Sequence, residues 1–323
     1  MVGLTVLAVC VAATWAGGGT DPVLHRSIQL PDVAGRIDHL SYDPKSKRLY
    51  MAALESGSVE VVDVEKGERV KRLTGLKEPQ GVVFVPGMNR VLAACGGDGK
   101  VVAYDAGTLE EAGRVEVGED ADNVRLDAGG TAVLVGYASG MLAVLDVATL
   151  KTSGVVKLPG HPESFQLEPG GLRAFVNIPG GFVGGGGVVA VVDRKKGEVT
   201  ATWKLESAGR NFPMALDAEH KRLYVGCRRP ARLVVLDTDS GKEVASVECV
   251  GDADDVFVEE GGLRVVVSGG DGALQLFGTK DWKKYERTGS VDTASGARTA
   301  LYVPERSAVF VAVPKRSGKP AEL

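Results

Sequence analysis

Carboxylates recur at one place in a repeated phrase. Seven short segments, GRIDHL, EPQGVV, DADNVR, HPESFQ, RNFPMA, DADDVF and GARTAL, each lead from a polar stretch into an apolar strand. Aligned on that strand, one position holds Asp38, Gly81, Asp122, Glu163, Phe212, Asp254 and Thr299, so that four of the seven are acidic. Adjoining positions add His39, Gln80, Asn123, Ser164, Asn211, Asp255 and Arg298, and further out lie Arg36, His161 and Arg210. Carboxylates and amides around one axis suit a hard cation such as Ca²⁺. Imidazole beside them opens the set to a transition metal. Interleaved arginines make a charged organic ligand an equal alternative, because guanidinium groups can themselves relieve repulsion between acids. A purely local account also stands, since Asp and Asn favour turns by accepting bonds from nearby backbone N–H groups. The candidate ligand-binding residues are Arg36, Asp38, His39, Gln80, Asp122, Asn123, His161, Glu163, Arg210, Asn211, Asp254, Asp255 and Arg298. A divalent cation is the cofactor this set allows. No residue is assigned to catalysis.

Other chemistry-bearing motifs are weaker. GGDGK at 96–100 looks like a phosphate loop, but its counterpart GGDGA at 269–273 marks it as a turn of the repeat. The glycine-rich stretch 179–187, with Phe182 at its tip, lengthens one loop on the same mouth as the acidic positions. It lacks the Lys-Ser/Thr and the helix that a nucleotide loop requires. Arg228, Arg229 and Arg232 form the densest positive cluster and read as a solvated face. His39 and His161 belong to the first and fourth repeats, which argues against one two-histidine metal site. The sequence has no H-E-x-x-H, no haem-attachment motif and no C-x-x-C pair.

The elements that must position these residues follow from a period. Strand-like runs ending in Asp occur at Asp63, Asp105, Asp146, Asp193 and Asp237, with a degenerate copy at Gly278; the steps are 42, 41, 47, 44 and 41 residues. Four short strands per repeat of this length, without helical periodicity, are the signature of a propeller blade. In the third repeat the strands read as 124–126, 131–137, 142–146 and 153–158. Seven repeats predict an all-β, seven-bladed β-propeller of four-stranded antiparallel blades. The last repeat supplies two strands and the stub 320–323, as a chain continuing past Leu323 would. Residues 24–30 precede the first repeat and are expected to close the last blade as its outer strand, which would remove an exposed edge.

The runs LAVLDVATLKTSGVVKLPG and LVVLDTDSGKEVASVECVG resemble YVTN-type repeats. Over residues 24–323 the chain is similar to the YncE-like, YVTN-repeat propellers, themselves similar in fold to the propeller subunits of quinoprotein amine dehydrogenases. The resemblance implies a bacterial or archaeal, usually exported protein. It implies no single reaction, because many functions sit on this fold. Some relatives are associated with DNA, surface layers or cofactor-dependent dehydrogenases.

Composition bounds the remaining choices. A net charge of −4 argues against a broad phosphate-binding surface, so nucleic acid is not the expected partner. Residues 2–13 form an apolar run with small residues after it, like a signal peptide without the usual positive start. The expected organisation is a leader over 1–20 and one propeller over 23–323, monomeric, without a membrane span in the mature chain, in the bacterial periplasm or secreted. Cys95, Cys227 and Cys249 are expected to be free thiols. Cys227 and Cys249 fall two strands apart, roughly 9–10 Å, whereas a disulfide needs Cα atoms within about 7 Å. The expected function is a non-catalytic scaffold binding a protein partner or small ligand at the channel mouth. The alternative is a metal-dependent hydrolase of the lactonase kind using the carboxylates around the channel.

Overall fold

The computed structural model describes residues 13–14, 23, 25–138, 140–180 and 186–323. Apart from Ala13–Thr14, the leader expected over 1–20 lies outside the described residues, as does 181–185 with Phe182. Among the described residues no helix is long and apolar enough to cross a membrane.

Six four-stranded antiparallel sheets follow one another along the chain, each in simple up-and-down order. The first uses Leu40–Asp43, Arg48–Ala53, Ser58–Asp63 and Glu68–Thr74; the third uses Val124–Leu126, Ala132–Tyr137, Met141–Asp146 and Thr152–Lys157. The recurrent Asp at the end of the third strand has a local cause. Its Oδ1 accepts backbone N–H groups two and three residues on: Asp63 from Glu65 and Lys66, Asp105 from Gly107 and Thr108, Asp193 from Lys195 and Lys196, Asp237 from Asp239 and Ser240. This Asx turn starts the hairpin to the fourth strand. In the sixth blade, where the Asp is missing, the Thr279 hydroxyl accepts the same kind of bond from Asp281 and Trp282. The outer strand pair of every blade then carries a register shift, for example between Val61 and Val62 and between Val191 and Val192. Such bulges add twist, and the repeated twist gives the blades their propeller pitch.

The core lies between blades. Second strands such as Arg48–Ala53 and Arg222–Arg229 are buried along nearly their whole length because both faces meet a neighbouring sheet. Outer strands such as Glu198–Lys204 alternate with water. Tyr50, Val61 and Leu73 of blade 1 pack on Phe84, Val91 and Tyr104 of blade 2. Equivalent clusters join each later pair of blades.

The blade count corrects the expectation: the described residues form six four-stranded blades, not seven. The residues expected to build a seventh give a hairpin, Ala300–Val303 with Ala308–Val311, which packs on blade 6 on one side and blade 1 on the other. Beyond Val311 a continuous third strand is blocked. Pro314 and Pro320 have no N–H for a ladder, and Arg316 and Lys319 bond each other across a tight turn. Only Ala321–Glu322 remains: it pairs with Gln29–Leu30 as a two-stranded sheet, and a single antiparallel bridge from Glu322 to Val313 joins it to the hairpin. The N-terminal segment therefore meets the C-terminal one without becoming the fourth strand of a blade. Ala13–Thr14 pair with Val309 and Ala308 along the hairpin's outer edge. Cys95, Cys227 and Cys249 are buried and free; burial pushes the Cys95 thiol up to about 11 and the Cys249 thiol up to about 12.

Candidate functional site at the channel mouth

Just before each inner strand the backbone is pinned to the second strand of its own blade. Asp38 N donates to Ala52 O and Ala52 N to His39 O; Asp122, Asn123 and Gly136 repeat the exchange, as do Glu163, Ser164 and Asn177, at 2.8–3.0 Å throughout. The register of all seven inner strands places Asp38, Gln80, Asp122, Glu163, Phe212, Asp254 and Arg298 at one equivalent position, two residues before Leu40, Val82, Val124, Phe165, Met214, Val256 and Ala300. All seven line one axial cavity of about 240 Å³. Two residues of the sequence alignment are thereby corrected: Gln80 replaces Gly81 and Arg298 replaces Thr299. In blade 2 Val82 and Val83 are both apolar, as are Ala300 and Leu301 in the hairpin, so the apolar pattern alone can be set one residue late; the register fixes it on Val82 and Ala300. Gly81 has its own reason, since a Cβ there would stand 2.0 Å from the Asp122 carbonyl oxygen.

Of the candidate residues, Arg36, Asp38, His39, Gln80, Asp122, Asn123, His161, Glu163, Asp254 and Arg298 line the cavity. Asn211, Asp255 and Arg210 do not. Asn211 ties blade 5 to blade 4 by donating to Asn177 Oδ1 and Val188 O. Asp255 is turned toward the hairpin, where its Oδ2 accepts Ala300 N at 2.7 Å. Arg210 lies over the Phe212 ring, 5.2 Å from its centre.

Asp120, Ser164 and Arg228 complete the lining. The reading of Arg228 as part of a solvated face is overturned. Its guanidinium lies 3.8 Å from the Phe212 ring centre, 2.5 Å from Asp254 Oδ1 and 3.3 Å from Asp252 Oδ1. Arg298 completes the same network through Asp252 at 3.0 Å and Asp254 at 3.5 Å. Arg36 reaches Asp38 Oδ2 at 2.7 Å. The other acids are less well served. Asp120 has His161 at 3.6 Å and the Gln80 amide at 3.4 Å; Glu163 has His161 at 4.0 Å. Asp122 has only the His39 imidazole at 3.9 Å, too long for a hydrogen bond, and its buried Oδ1 lacks a hydrogen-bond partner.

Five carboxylates thus face three guanidinium groups around the cavity, with Asp38 and Asp122 buried, Asp254 largely so, and Asp120 and Arg36 open to water. Burial, then the neighbouring Asp38 and Glu163, hold the Asp122 carboxyl well above the carboxylate range. Burial, then Asp254, pushes Glu163 up to about 8. Asp38 and Asp254 are also raised by burial, against the pull of their arginines. Burial and the buried Arg125 below it push His39 down to about 4, so its imidazole is neutral near pH 7. The site can attract a small cation, or a ligand donating several hydrogen bonds.

Fold and site define a β-propeller with a charged axial cavity. The profile of a family described as "Outer membrane protein assembly factor BamB" matches residues 185–321. Among solved structures, hydrazine synthase of Kuenenia stuttgartiensis superposes with a TM-score of 0.77 at 13% identity, covering 87% of this chain and 96% of that one. At that identity the likeness is one of fold. No curated protein sequence matches the chain.

Proposed function

We propose that the chain is an exported propeller scaffold of the YncE-like, YVTN-repeat kind that holds a small, positively charged ligand at its channel mouth without transforming it. Asp122 carries this reading: a carboxylate 8% exposed, lining the cavity, with a buried oxygen that lacks a hydrogen-bond partner and no Lys or Arg in ion-pair range among the described residues. A buried charge without a partner is costly, and a cationic ligand removes that cost. The cavity's 240 Å³ falls below the roughly 300–1,000 Å³ usual for drug-sized ligands, which favours an ion or a ligand of few atoms. Export is supported by the apolar run 2–13 and by the outer-membrane description of the matched family. That description also supports a protein partner.

The test is a thermal-shift panel of ethylammonium, ethylenediammonium and divalent cations on the wild type and on Asp122→Asn/Glu163→Gln. A cation that raises the Tm of the wild type and not of the variant is expected. No shift from any member sinks the reading. A metal-dependent hydrolase of the lactonase kind is the second reading, favoured by the grouping of Asp38, His39 and Asp122. Turnover of a lactone by metal-loaded wild type, lost in Asp122→Asn, would put it first.

A further inference from the structure

Blade 1 and blade 3 meet above the small residues of blade 2. Gly81, the blade-2 counterpart of His39, leaves room for the Asp122 backbone, and His39 N donates to Gln80 O across the blade boundary. Three donor atoms converge there: a carboxylate oxygen of Asp38, the His39 imidazole Nε2 and a carboxylate oxygen of Asp122, all within 4.8 Å of one another. His39 Nε2 stands 3.7 Å from Asp38 Oδ1 and 3.9 Å from Asp122 Oδ1. Both distances are too long for hydrogen bonds. They are close to the edge of a coordination polyhedron, since two ligands each about 2.0–2.2 Å from a zinc-sized ion lie roughly 3.4–3.8 Å apart at tetrahedral to trigonal angles.

A second observation points the same way. Asn123, only 2% exposed, lines the cavity with a buried Oδ1 that has no hydrogen-bond partner. Arg36 meanwhile engages Asp38 through its other oxygen, Oδ2, and leaves Oδ1 facing the imidazole.

We infer that Asp38, His39 and Asp122 form a binding site for one divalent transition-metal ion, zinc-like in its preference for nitrogen and oxygen ligands, with the cavity side of the ion open. The inference rests on the cationic-ligand reading of the mouth and names the ion class. An imidazole between two carboxylates selects against Ca²⁺ and Mg²⁺, which take oxygen ligands. The open side faces the cavity, where water or a second ligand would complete the coordination.

The experiment uses the full chain, stripped with chelator and dialysed, then titrated separately with Zn²⁺, Mn²⁺ and Ca²⁺ by calorimetry. Metal content is read after gel filtration. One Zn²⁺ or Mn²⁺ per chain is expected, with binding weakened at least about tenfold in Asp122→Asn and in His39→Gln. Glu198→Gln, on the exposed outer strand of blade 4, should bind as the wild type does. Circular dichroism of each variant separates lost binding from lost fold, and Asp122→Asn, which preserves shape, decides if His39→Gln fails to fold. Binding of Ca²⁺ alone, or zinc binding indifferent to His39 and Asp122, overturns the metal site. If ethylammonium raises the Tm while no metal binds, the metal inference fails and the cationic-ligand reading stands. If neither acts, both fail.

Discussion

Blade 3 and blade 6 enter the channel with nearly the same words, Asp120-Ala-Asp122-Asn123 and Asp252-Ala-Asp254-Asp255. Their lead-ins even share a left-handed residue, with φ of 56° at Asp120 and 51° at Asp252. The surroundings differ in two residues. Blade 6 lies between Arg228 of blade 5 and Arg298 of the hairpin, which together bind Asp252 and Asp254. At the positions equivalent to those arginines, blade 3 has Gly96 in blade 2 and Glu163 in blade 4. A Cβ on Gly96 would meet the Gln80 amide at 2.2 Å, so the space Arg228 takes in one half is taken by Gln80 in the other. One half of the mouth is internally neutralised and structural. In the other, Arg36 serves Asp38, while Asp120, Asp122 and Glu163 have only histidines in ion-pair range among the described residues, and a cluster of that kind is available to a ligand.

The largest test of this contrast is removal of the arginine that makes blade 6 structural. Arg228→Ala leaves Asp254 and Asp252 with Arg298 alone and strips the Phe212 ring. Breaking a buried pair from one side costs about 3–5 kcal/mol, and the remaining arginine puts the expected loss near about 3 kcal/mol by denaturant titration. Asp254→Asn added to Arg228→Ala should recover part of the loss. An Arg228→Ala protein as stable as the wild type would mean that the two halves do not differ as described.

Next in size is Gly81→Ala. The new methyl meets the Asp122 carbonyl oxygen, a backbone atom that cannot swing away. Overpacking of this kind costs roughly 1–3 kcal/mol, and the displaced Asp122 should also weaken cation binding at the mouth. Gly87→Ala, with nothing within 4 Å of its Cβ, is the matched control. Equal effects of the two substitutions would remove the steric account.

The repeat was readable because its markers act locally. An Asp that caps its own turn, as Asp63 and Asp237 do, leaves a fixed spacing in the chain. The number of complete blades was not readable in the same way, because it turns on how the segment after Val311 folds back between Pro314 and Pro320. Four carboxylates of the cavity were legible from the alignment, and so were His39, His161 and Asn123 as its neighbours. Gln80 and Arg298 were displaced by one residue because Val82-Val83 and Ala300-Leu301 each offer two adjacent apolar residues on which the strand can be aligned. Arg228 was missed as a lining residue because its role depends on reaching across a blade boundary to Asp254. The repetition of Asp-Ala-Asp at 120–122 and 252–254 was the available signal that Asp120 belonged with Asp122.

A pH profile sharpens the contrast on the open side. Glu163 titrates near 8 in the folded protein against an ordinary 4.5. The native state therefore holds its proton more tightly than the unfolded chain does. Stability from this group is full below about pH 4.5, declines as pH rises, and is lost above about pH 8. In chelator-treated protein, Glu163→Gln should match the wild type near pH 5 and exceed its Tm by a few degrees near pH 8, since roughly 2–4 °C accompanies each kcal/mol in a large domain. A difference of the same size at both pH values would place the cause in packing instead of charge.

The smallest expected effect comes from making blade 6 read like blade 3 at one more position. Asp255 stands where blade 3 has Asn123. Burial holds its carboxyl well above the carboxylate range, and the Ala300 N–H it accepts does not offset that burial. Asp255→Asn keeps an oxygen to accept Ala300 N and removes the charge that burial opposes. The protonated acid and the amide are nearly alike, so the variant and wild type should unfold together at acid pH. As pH rises and the wild-type carboxyl is driven to ionise, the variant should gain, by about 1 kcal/mol or less given its retained hydrogen bond. A loss of stability at every pH would show that the Asp255 carboxylate is needed as an ion. The natural candidate for its partner is then Arg125, whose charge acts on Asp255, and the two halves of the mouth would be coupled through the channel floor instead of independent.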